Sequence, residues 1–171
     1  MIIGVFTGDK VYSNSSEAFG FYEKSRWGEK IRNRIEYSFV EALFLASEKK
    51  MEIISENGKK IDFESLMKKM KKIDKKVENK FVVFSDLRKK GFLIKTALKF
   101  GADFRIYEKG IKPGEEHARW IAYVFKENES LEWKDFTAKN RIAHSTKKQL
   151  LLAIVDEEGD VSYYQSDWLG L

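Results

Sequence analysis

The chain has 171 residues, of which 43% are hydrophobic and 35% charged, a composition typical of a soluble domain with a highly charged surface. It has no apolar run near the roughly 18 residues of a membrane-spanning helix and no signal-peptide pattern at its start, so we expect a cytoplasmic protein with no membrane partner. The absence of cysteine and the presence of only two histidines exclude disulfides, thiolate metal sites and a histidine-rich metal centre. The net charge of +5 favours an anionic partner, of which nucleic acid is the commonest.

The first half of the chain combines strand and helix patterns. In chain order, we predict a hairpin over 2–13, an irregular segment over 26–38, a helix over 39–50, a strand over 51–55 and a turn over 56–60. The hairpin places Gly8 and Asp9 at its turn, and Ser38 is the expected N-cap of the helix.

Residues 61–80 predict one amphipathic helix with a lysine-rich face. Its apolar positions recur at helical spacing and are Phe63, Leu66, Met67, Met70, Ile73 and Val77. Six lysines lie between residues 68 and 76. They either face RNA or form a solvated surface, and the lack of interleaved aromatic residues favours the solvated surface.

The second half is richer in strands. We predict a short helix over 81–90, strands over 92–95, 103–108 and 118–125, a helix over 132–145, a strand buried on both faces over 150–155, an acidic turn over 156–160 and a returning strand over 161–169. The predicted fold class is α/β, of the α+β kind. A small N-terminal domain of helices and hairpin, residues 1–79, is followed by a C-terminal mixed-sheet domain flanked by helices, residues 80–171.

Two polar side chains bracket the loop that contains the only proline, Pro113. Tyr107 ends the strand before this loop, and His117 ends the loop just before the next strand. They either share one site at the mouth of the sheet or are the edges of an ordinary hairpin. The other histidine, His144, lies inside a predicted helix, where packing or capping is the favoured role.

Lys147 and Lys148 precede the buried strand over 150–155. A charge fixed at the end of a strand suits a functional site, but lysines also flank hydrophobic strands to block aggregation. The residues alone do not separate these two roles.

Three segments carry a family resemblance: GFLIKTALKFGADFRIYEKG (91–110), EEHARW (115–120) and RIAHSTKKQLLLAIVDEEGDVSYY (141–164). In this order they resemble the catalytic half of the archaeal tRNA-splicing endonucleases. SFVEALFLA (38–46) and DFESL (62–66) are similar to the family's N-terminal half. The resemblance covers nearly the whole chain, and it implies that residues 80–171 form a catalytic endonuclease domain.

The resemblance implies a catalytic triad of tyrosine, histidine and lysine. Its members here are Tyr107, His117 and Lys148, with Lys147 at the Lys/Arg position before the catalytic lysine. The implied reaction is metal-independent and needs no cofactor: a 2′-hydroxyl attacks the adjacent phosphorus and leaves a 2′,3′-cyclic phosphate and a 5′-hydroxyl. The family roles are base for Tyr107 and acid for His117, while Lys148 stabilises charge on the phosphate.

The role of Tyr107 stays open at this point. A tyrosine with an ordinary pKa near 10 is mostly protonated at neutral pH, so it is a poor base without cationic neighbours. Tyr107 either takes the proton or positions the hydroxyl while another group or water takes it.

The candidate RNA-binding residues are Arg141, Arg105 and Trp168. Arg141 opens the R-h-A-H-S motif (h, apolar) and resembles a family arginine that packs against an extruded bulge base. The sequence departs from the family at Gln149, where many members have a basic residue. This departure puts at most one phosphate contact in doubt.

The family's substrate is precursor tRNA with a bulge-helix-bulge, and the resemblance implies either a homotetramer or a heterotetramer with a second subunit. In such assemblies an acidic loop docks into a basic groove of a neighbour. The candidate loop residues are Asp156, Glu157, Glu158 and Asp160, which equally suit a plain charged turn around Gly159.

Two other classes of function remain as alternatives. A non-catalytic RNA-binding or scaffold subunit is disfavoured by the intact triad. A metal-dependent, restriction-like nuclease requires a spaced acidic pair followed by E-x-K, and no convincing set is present. The nearby carboxylates Asp103, Glu115 and Glu116 are candidate ligands only under that alternative, and the last two are otherwise placed to tune His117.

Overall fold

The computed structural model describes residues 1–111, 114 and 117–171. The chain forms two compact units, Met1–Phe81 and Val82–Leu171. Each combines a β-sheet with helices, which confirms the predicted α+β fold class. Every helix in the described part of the chain is too short or too polar to cross a bilayer.

The first unit is built on a six-stranded sheet. Its strands are β1 (Ile2–Phe6), β2 (Val11–Ser13), β3 (Glu29–Ile31), β4 (Arg34–Tyr37), β5 (Met51–Ser55) and β6 (Lys60–Ile61). The strand order is β3-β4-β2-β1-β5-β6, with β1 and β5 parallel and all other neighbours antiparallel. The helices are α1 (Ser16–Ser25), α2 (Phe39–Ser47), α3 (Phe63–Lys71) and the first residues of α4 (Val77–Lys89).

Local signals explain the elements that were predicted here. The β1–β2 hairpin turns at Gly8, whose φ of 99° is easily adopted by glycine. Helix α2 begins after Ser38, which forms a capping box with Glu41 as expected for an N-cap. The predicted strand over 51–55 is β5.

The prediction of an irregular segment over 26–38 is wrong. Residues 29–37 form the β3–β4 hairpin, with Ile31 paired to Arg34 across a two-residue loop. Arg32 in that loop takes a left-handed φ of 55°, a conformation that a sequence without glycine does not signal. Ile35 and Tyr37 are alternate residues of β4 that point into the core, with exposures of 0% and 2%. Because most residues around them are charged, the sequence does not show a clear strand pattern.

The single helix predicted over 61–80 is two helices. Helix α3 ends at Lys71, and α4 begins at Val77 and continues through the segment predicted as a short separate helix. The break between them contains Asp74, whose carboxylate accepts a hydrogen bond from the backbone N–H of Lys76 at 3.0 Å and pairs with Lys80 at 2.8 Å, contacts that compete with one continuous helix. Ile73 is 56% exposed, so it does not belong to the apolar face, and the six lysines are exposed.

The second unit is built on a five-stranded mixed sheet. Its strands are β7 (Leu93–Ala97), β8 (Ala102–Tyr107), β9 (Trp120–Lys126), β10 (Gln149–Val155) and β11 (Val161–Ser166), and its main helix is α5 (Trp133–Ser145). The order is β11-β10-β9-β8-β7, with β9 and β10 parallel and the other pairs antiparallel. These elements confirm the predicted strands and helix of this half, except that the returning strand predicted over 161–169 ends at Ser166.

Helices pack on both faces of this sheet. Ala143 of α5 is buried with Ile121 and Leu150 on one face, while Phe84 of α4 packs against Phe104 with ring centroids 6.1 Å apart. Strand β10 has a neighbour on each edge and buried or half-buried side chains throughout, as its apolar sequence predicts. The sheet is therefore a rigid frame for groups at its ends.

Candidate active site

Three strand ends meet at one end of the second sheet. Strand β8 finishes at Tyr107, whereas β9 and β10 begin at Trp120 and Gln149. Trp120 pairs with Ile106 of antiparallel β8 and with Gln149 of parallel β10, so the end of β8 lies beside both starts. This topology brings together three segments that are far apart in the sequence.

The three residues of the predicted triad line one pocket at this end. Its volume is about 340 Å³, and the lining residues are Phe100, Arg105, Tyr107, Gly114, His117, Ala118 and Lys148. Tyr107 is 5% exposed, His117 is exposed and Lys148 is half-buried. The pocket therefore presents a phenol, an imidazole and an ammonium to the same small volume.

The position of Lys148 is fixed by the end of α5. Its backbone N–H donates to the carbonyl of Ala143 at 2.8 Å, and Lys147 before it has a φ of 57°, which turns the chain sharply. The Lys148 ammonium donates to the carbonyl of Thr146 at 3.2 Å and lies 5.5 Å from the ring centroid of Phe100. Burial, and secondarily the charge of Arg105, lower the pKa of Lys148.

Arg105 adds a second cation to the pocket. It lies two residues before Tyr107 on β8, so the two side chains point to the same face of the sheet. Its Nε atom is buried and has no hydrogen-bond acceptor among the described residues. Two cations in one pocket favour an anionic ligand such as a phosphate group.

A second pocket adjoins the first at Lys148. Its volume is about 310 Å³, and it also contains Lys147, His144 and Trp168. Trp168 is 54% exposed and meets the imidazole of His144 edge-on, with centroids 4.1 Å apart. His144 thus packs against an aromatic ring, in keeping with its predicted packing role.

The remaining predicted residues lie apart from these two pockets. Arg141 is exposed on α5 and lines neither pocket. The acidic turn over 156–160 follows Val155, at the opposite end of β10 from Lys148. Its Asp156 carboxylate accepts hydrogen bonds from the backbone N–H groups of Glu158 and Asp160, both at 2.9 Å.

Of the carboxylates considered as metal ligands, Asp103 is described by the structure and does not line the pocket. Asp103 accepts a hydrogen bond from the backbone N–H of Val124 at 2.8 Å. Glu115 and Glu116 lie outside the described residues. Within the described residues, no three His, Cys, Asp or Glu side chains form a group that could hold a metal ion.

Reasoning from single residues missed Phe100, which lines the first pocket beside Lys148. The signal that points to it is the K-F-G segment at 99–101, which belongs to the family pattern. Arg119 has no signal in the sequence, because its contacts with Glu108 and Gln149 depend on the strand register.

Comparison with known proteins shows which family the chain belongs to. The profile described as "tRNA intron endonuclease, N-terminal domain" matches residues 2–67. The profile described as "tRNA intron endonuclease, catalytic C-terminal domain" matches residues 77–163.

Individual relatives agree with these matches. The tRNA-splicing endonuclease of Thermococcus gammatolerans is 36% identical over 170 residues, 99% of each chain. That of Pyrococcus horikoshii is 37% identical over 164 residues, covering 95% of this chain and 94% of the relative. That of Methanothermobacter thermautotrophicus is 33% identical over 166 residues, 95% of each chain. The chain belongs to the tRNA intron endonuclease family, a family of endoribonucleases.

Proposed function

We propose that this enzyme cuts precursor tRNA at bulge-helix-bulge splice sites by metal-independent attack of a 2′-hydroxyl. The observation that carries the proposal is the presence of Tyr107, His117 and Lys148 in one pocket of about 340 Å³. Catalysis is assigned to residues 80–171 and a structural role to residues 1–79. The proposed substrate places the enzyme in the cytoplasm.

The reaction requires one proton to leave and one to arrive. The 2′-oxygen forms a bond to phosphorus as its proton passes to Tyr107, which acts as the base in its deprotonated, phenolate form. The bond from phosphorus to the 5′-oxygen breaks as His117 donates a proton to the leaving oxygen. The products are a 2′,3′-cyclic phosphate and a 5′-hydroxyl. The proposed step therefore consumes no water and uses no metal ion.

The two pocket cations stabilise the charge that develops on the phosphorus. Lys148 is held by the carbonyl of Thr146 and by the Phe100 ring, so it needs little rearrangement to meet a five-coordinate phosphate. Arg105 faces the same pocket and presents a planar group suited to phosphate oxygens. This proposal also gives the net charge of +5 a role in attracting RNA.

Arg141 and Trp168 are proposed to contact bases outside the catalytic pocket. Trp168 is a half-exposed aromatic ring beside the second pocket, and such rings stack on unpaired bases. Arg141 is exposed on the helix that carries His144, three residues away on the same face.

We further propose a tetramer, formed by four copies or with a second subunit. Each chain carries the triad once, whereas a bulge-helix-bulge contains two sites to cut, so an assembly with two active pockets related by two-fold symmetry matches the RNA. The acidic turn at 156–160 is exposed at the far end of β10 from the pocket, where it can meet a neighbour without blocking RNA.

A cleavage assay tests the proposed function. Labelled bulge-helix-bulge RNA is incubated with the purified chain in excess chelator, beside the His117→Ala variant. We expect cleavage by the wild type and a loss of roughly 100-fold or more in the variant, since general acid catalysis contributes about 10² to 10⁴ in rate.

His144→Ala is the matched control, because it removes the other histidine from outside the catalytic pocket. It is expected to lose far less activity. Cleavage that needs magnesium would overturn the metal-free mechanism, and full activity of His117→Ala would remove His117 from the site. A requirement for a second polypeptide would select the heterotetramer.

A further inference from the structure

Arg119 contacts the neighbours of two pocket residues. Its guanidinium forms an ion pair with the carboxylate of Glu108, and its Nε donates to the side-chain oxygen of Gln149 at 3.1 Å. Glu108 directly follows Tyr107, Gln149 directly follows Lys148, and Arg119 itself lies two residues after His117. One side chain thus joins the three segments that supply the pocket.

The backbone of Arg119 joins the same segments. Its N–H donates to the carbonyl of Ile106 at 2.9 Å, and its carbonyl accepts from the N–H of Gln149 at 2.9 Å. Its guanidinium carbon lies 4.5 Å from the centroid of the Trp120 ring. Main chain and side chain therefore both tie the start of β9 to the end of β8 and the start of β10.

Gln149 suits this position because an amide both accepts and donates. Its oxygen accepts from Arg119, while its Nε2 donates to Asp167 at 3.0 Å. Asp167 in turn accepts from Gln165 at 3.3 Å, and Gln165 accepts from the Trp120 indole at 2.8 Å. A basic residue at 149 has no lone pair for Arg119, so the departure from the family pattern fits this network.

We propose that Glu108, Arg119 and Gln149 form a clamp that sets the spacing of Tyr107, His117 and Lys148. The inference rests on the proposed function. The clamp residues are positioning residues, because they act through the segments that carry the pocket side chains. The Arg119 and Glu108 side chains are 47% and 45% exposed, so their ion pair contributes little to global stability and its effect is expected in the rate of cleavage.

Single-turnover cleavage at saturating enzyme separates positioning from RNA binding. Arg119→Met is expected to lower the cleavage rate roughly 10- to 100-fold, since a small misplacement of reacting groups has effects of that order. RNA affinity and its salt dependence are expected to match those of Lys126→Met, a control that removes a cation at the far end of β9.

Arg119→Lys distinguishes geometry from charge. Lysine keeps the charge but lacks the planar fork that reaches Glu108 and Gln149 together, so the clamp predicts a rate close to that of Arg119→Met. Recovery of the wild-type rate would contradict the clamp. So would weaker binding with a salt slope reduced by about one, which indicates a phosphate contact.

A double-mutant cycle tests the pairing itself. Glu108→Gln is expected to lower the rate, and adding it to Arg119→Met to lower it little further, because both changes open the same clamp. Additive effects, or tighter RNA binding with an undiminished rate in Glu108→Gln, would overturn the proposal.

A readout that does not depend on cleavage keeps the clamp separate from the proposed function. The chain has two histidines, so an NMR spectrum is expected to show two imidazole Cε1–H signals. The His144→Ala variant lacks one of them and thereby assigns both. Arg119→Lys is expected to shift the signal of His117 and to leave that of His144 in place. An unshifted His117 signal would contradict the clamp, whereas absence of cleavage by the wild type would contradict only the proposed function.

Discussion

At the scale of single residues, Lys148 combines two demands that oppose each other. In the proposed mechanism its charge is required beside a phosphate, yet its half-buried position in the pocket disfavours that charge. Burial and the nearby Arg105 lower the pKa of Lys148, so the ammonium is lost at a lower pH than in an ordinary lysine. An anionic phosphate bound in the pocket would favour the charged form of Lys148 and so raise its pKa again.

This opposition predicts an alkaline limb in the pH profile. The cation is present below the lowered pKa of Lys148, so the cleavage rate is expected to fall as the pH rises through it. Lys148→Arg keeps its charge at every accessible pH, so we expect its lower rate to lack this additional fall and to retain only the fall that follows when His117 no longer carries the proton it donates. The measurement is the single-turnover rate against pH, corrected for RNA cleavage without enzyme. An identical alkaline limb in both proteins would assign it to another group.

At the scale of elements, the turn between β10 and β11 has two kinds of carboxylate. That of Asp156 is used inside the turn, where it accepts from two backbone N–H groups. Glu157, Glu158 and Asp160 are exposed. The turn can thus keep its shape while three of its charges meet a partner.

Neutralising these three residues tests the proposed assembly. Glu157→Gln, Glu158→Gln and Asp160→Asn together are expected to reduce the mass in sedimentation velocity while leaving the melting temperature nearly unchanged. Asp156→Asn is the control: it also removes a charge, but its amide oxygen can still accept from the backbone N–H groups of Glu158 and Asp160, so the turn and the assembly are expected to be kept. An unchanged mass in the triple variant would contradict the docking role.

Elements marked by strong local signals could be predicted from the sequence. Elements in which a single residue overrides the apolar spacing around it could not. Ser38 and Gly8 each have a local chemistry that marks a helix start or a turn. The β3–β4 hairpin turns at Arg32, without glycine, and the lysine-rich run breaks at Asp74 although its apolar spacing continues. In both cases one side chain or one backbone angle outweighs the periodic pattern.

At the scale of the whole molecule, the sequence predicted which residues form the candidate site but not how they meet in one pocket. Tyr107, His117 and Lys148 could be selected by family resemblance. Their convergence depends on β10 pairing parallel to β9 while β8 pairs antiparallel, which no local pattern specifies. The same register brings Arg119 between Glu108 and Gln149, so this contact could not be predicted from the sequence.

The central claim is that the pocket uses the RNA's own 2′-hydroxyl and no metal. The most direct measurement uses a bulge-helix-bulge RNA with a single 2′-deoxy nucleotide on the 5′ side of one scissile phosphate, in excess chelator, beside the same RNA with all its hydroxyls. We expect the unmodified RNA to give 2′,3′-cyclic phosphate and 5′-hydroxyl ends, and the modified phosphate to stay intact. Cleavage at the modified phosphate would contradict the account.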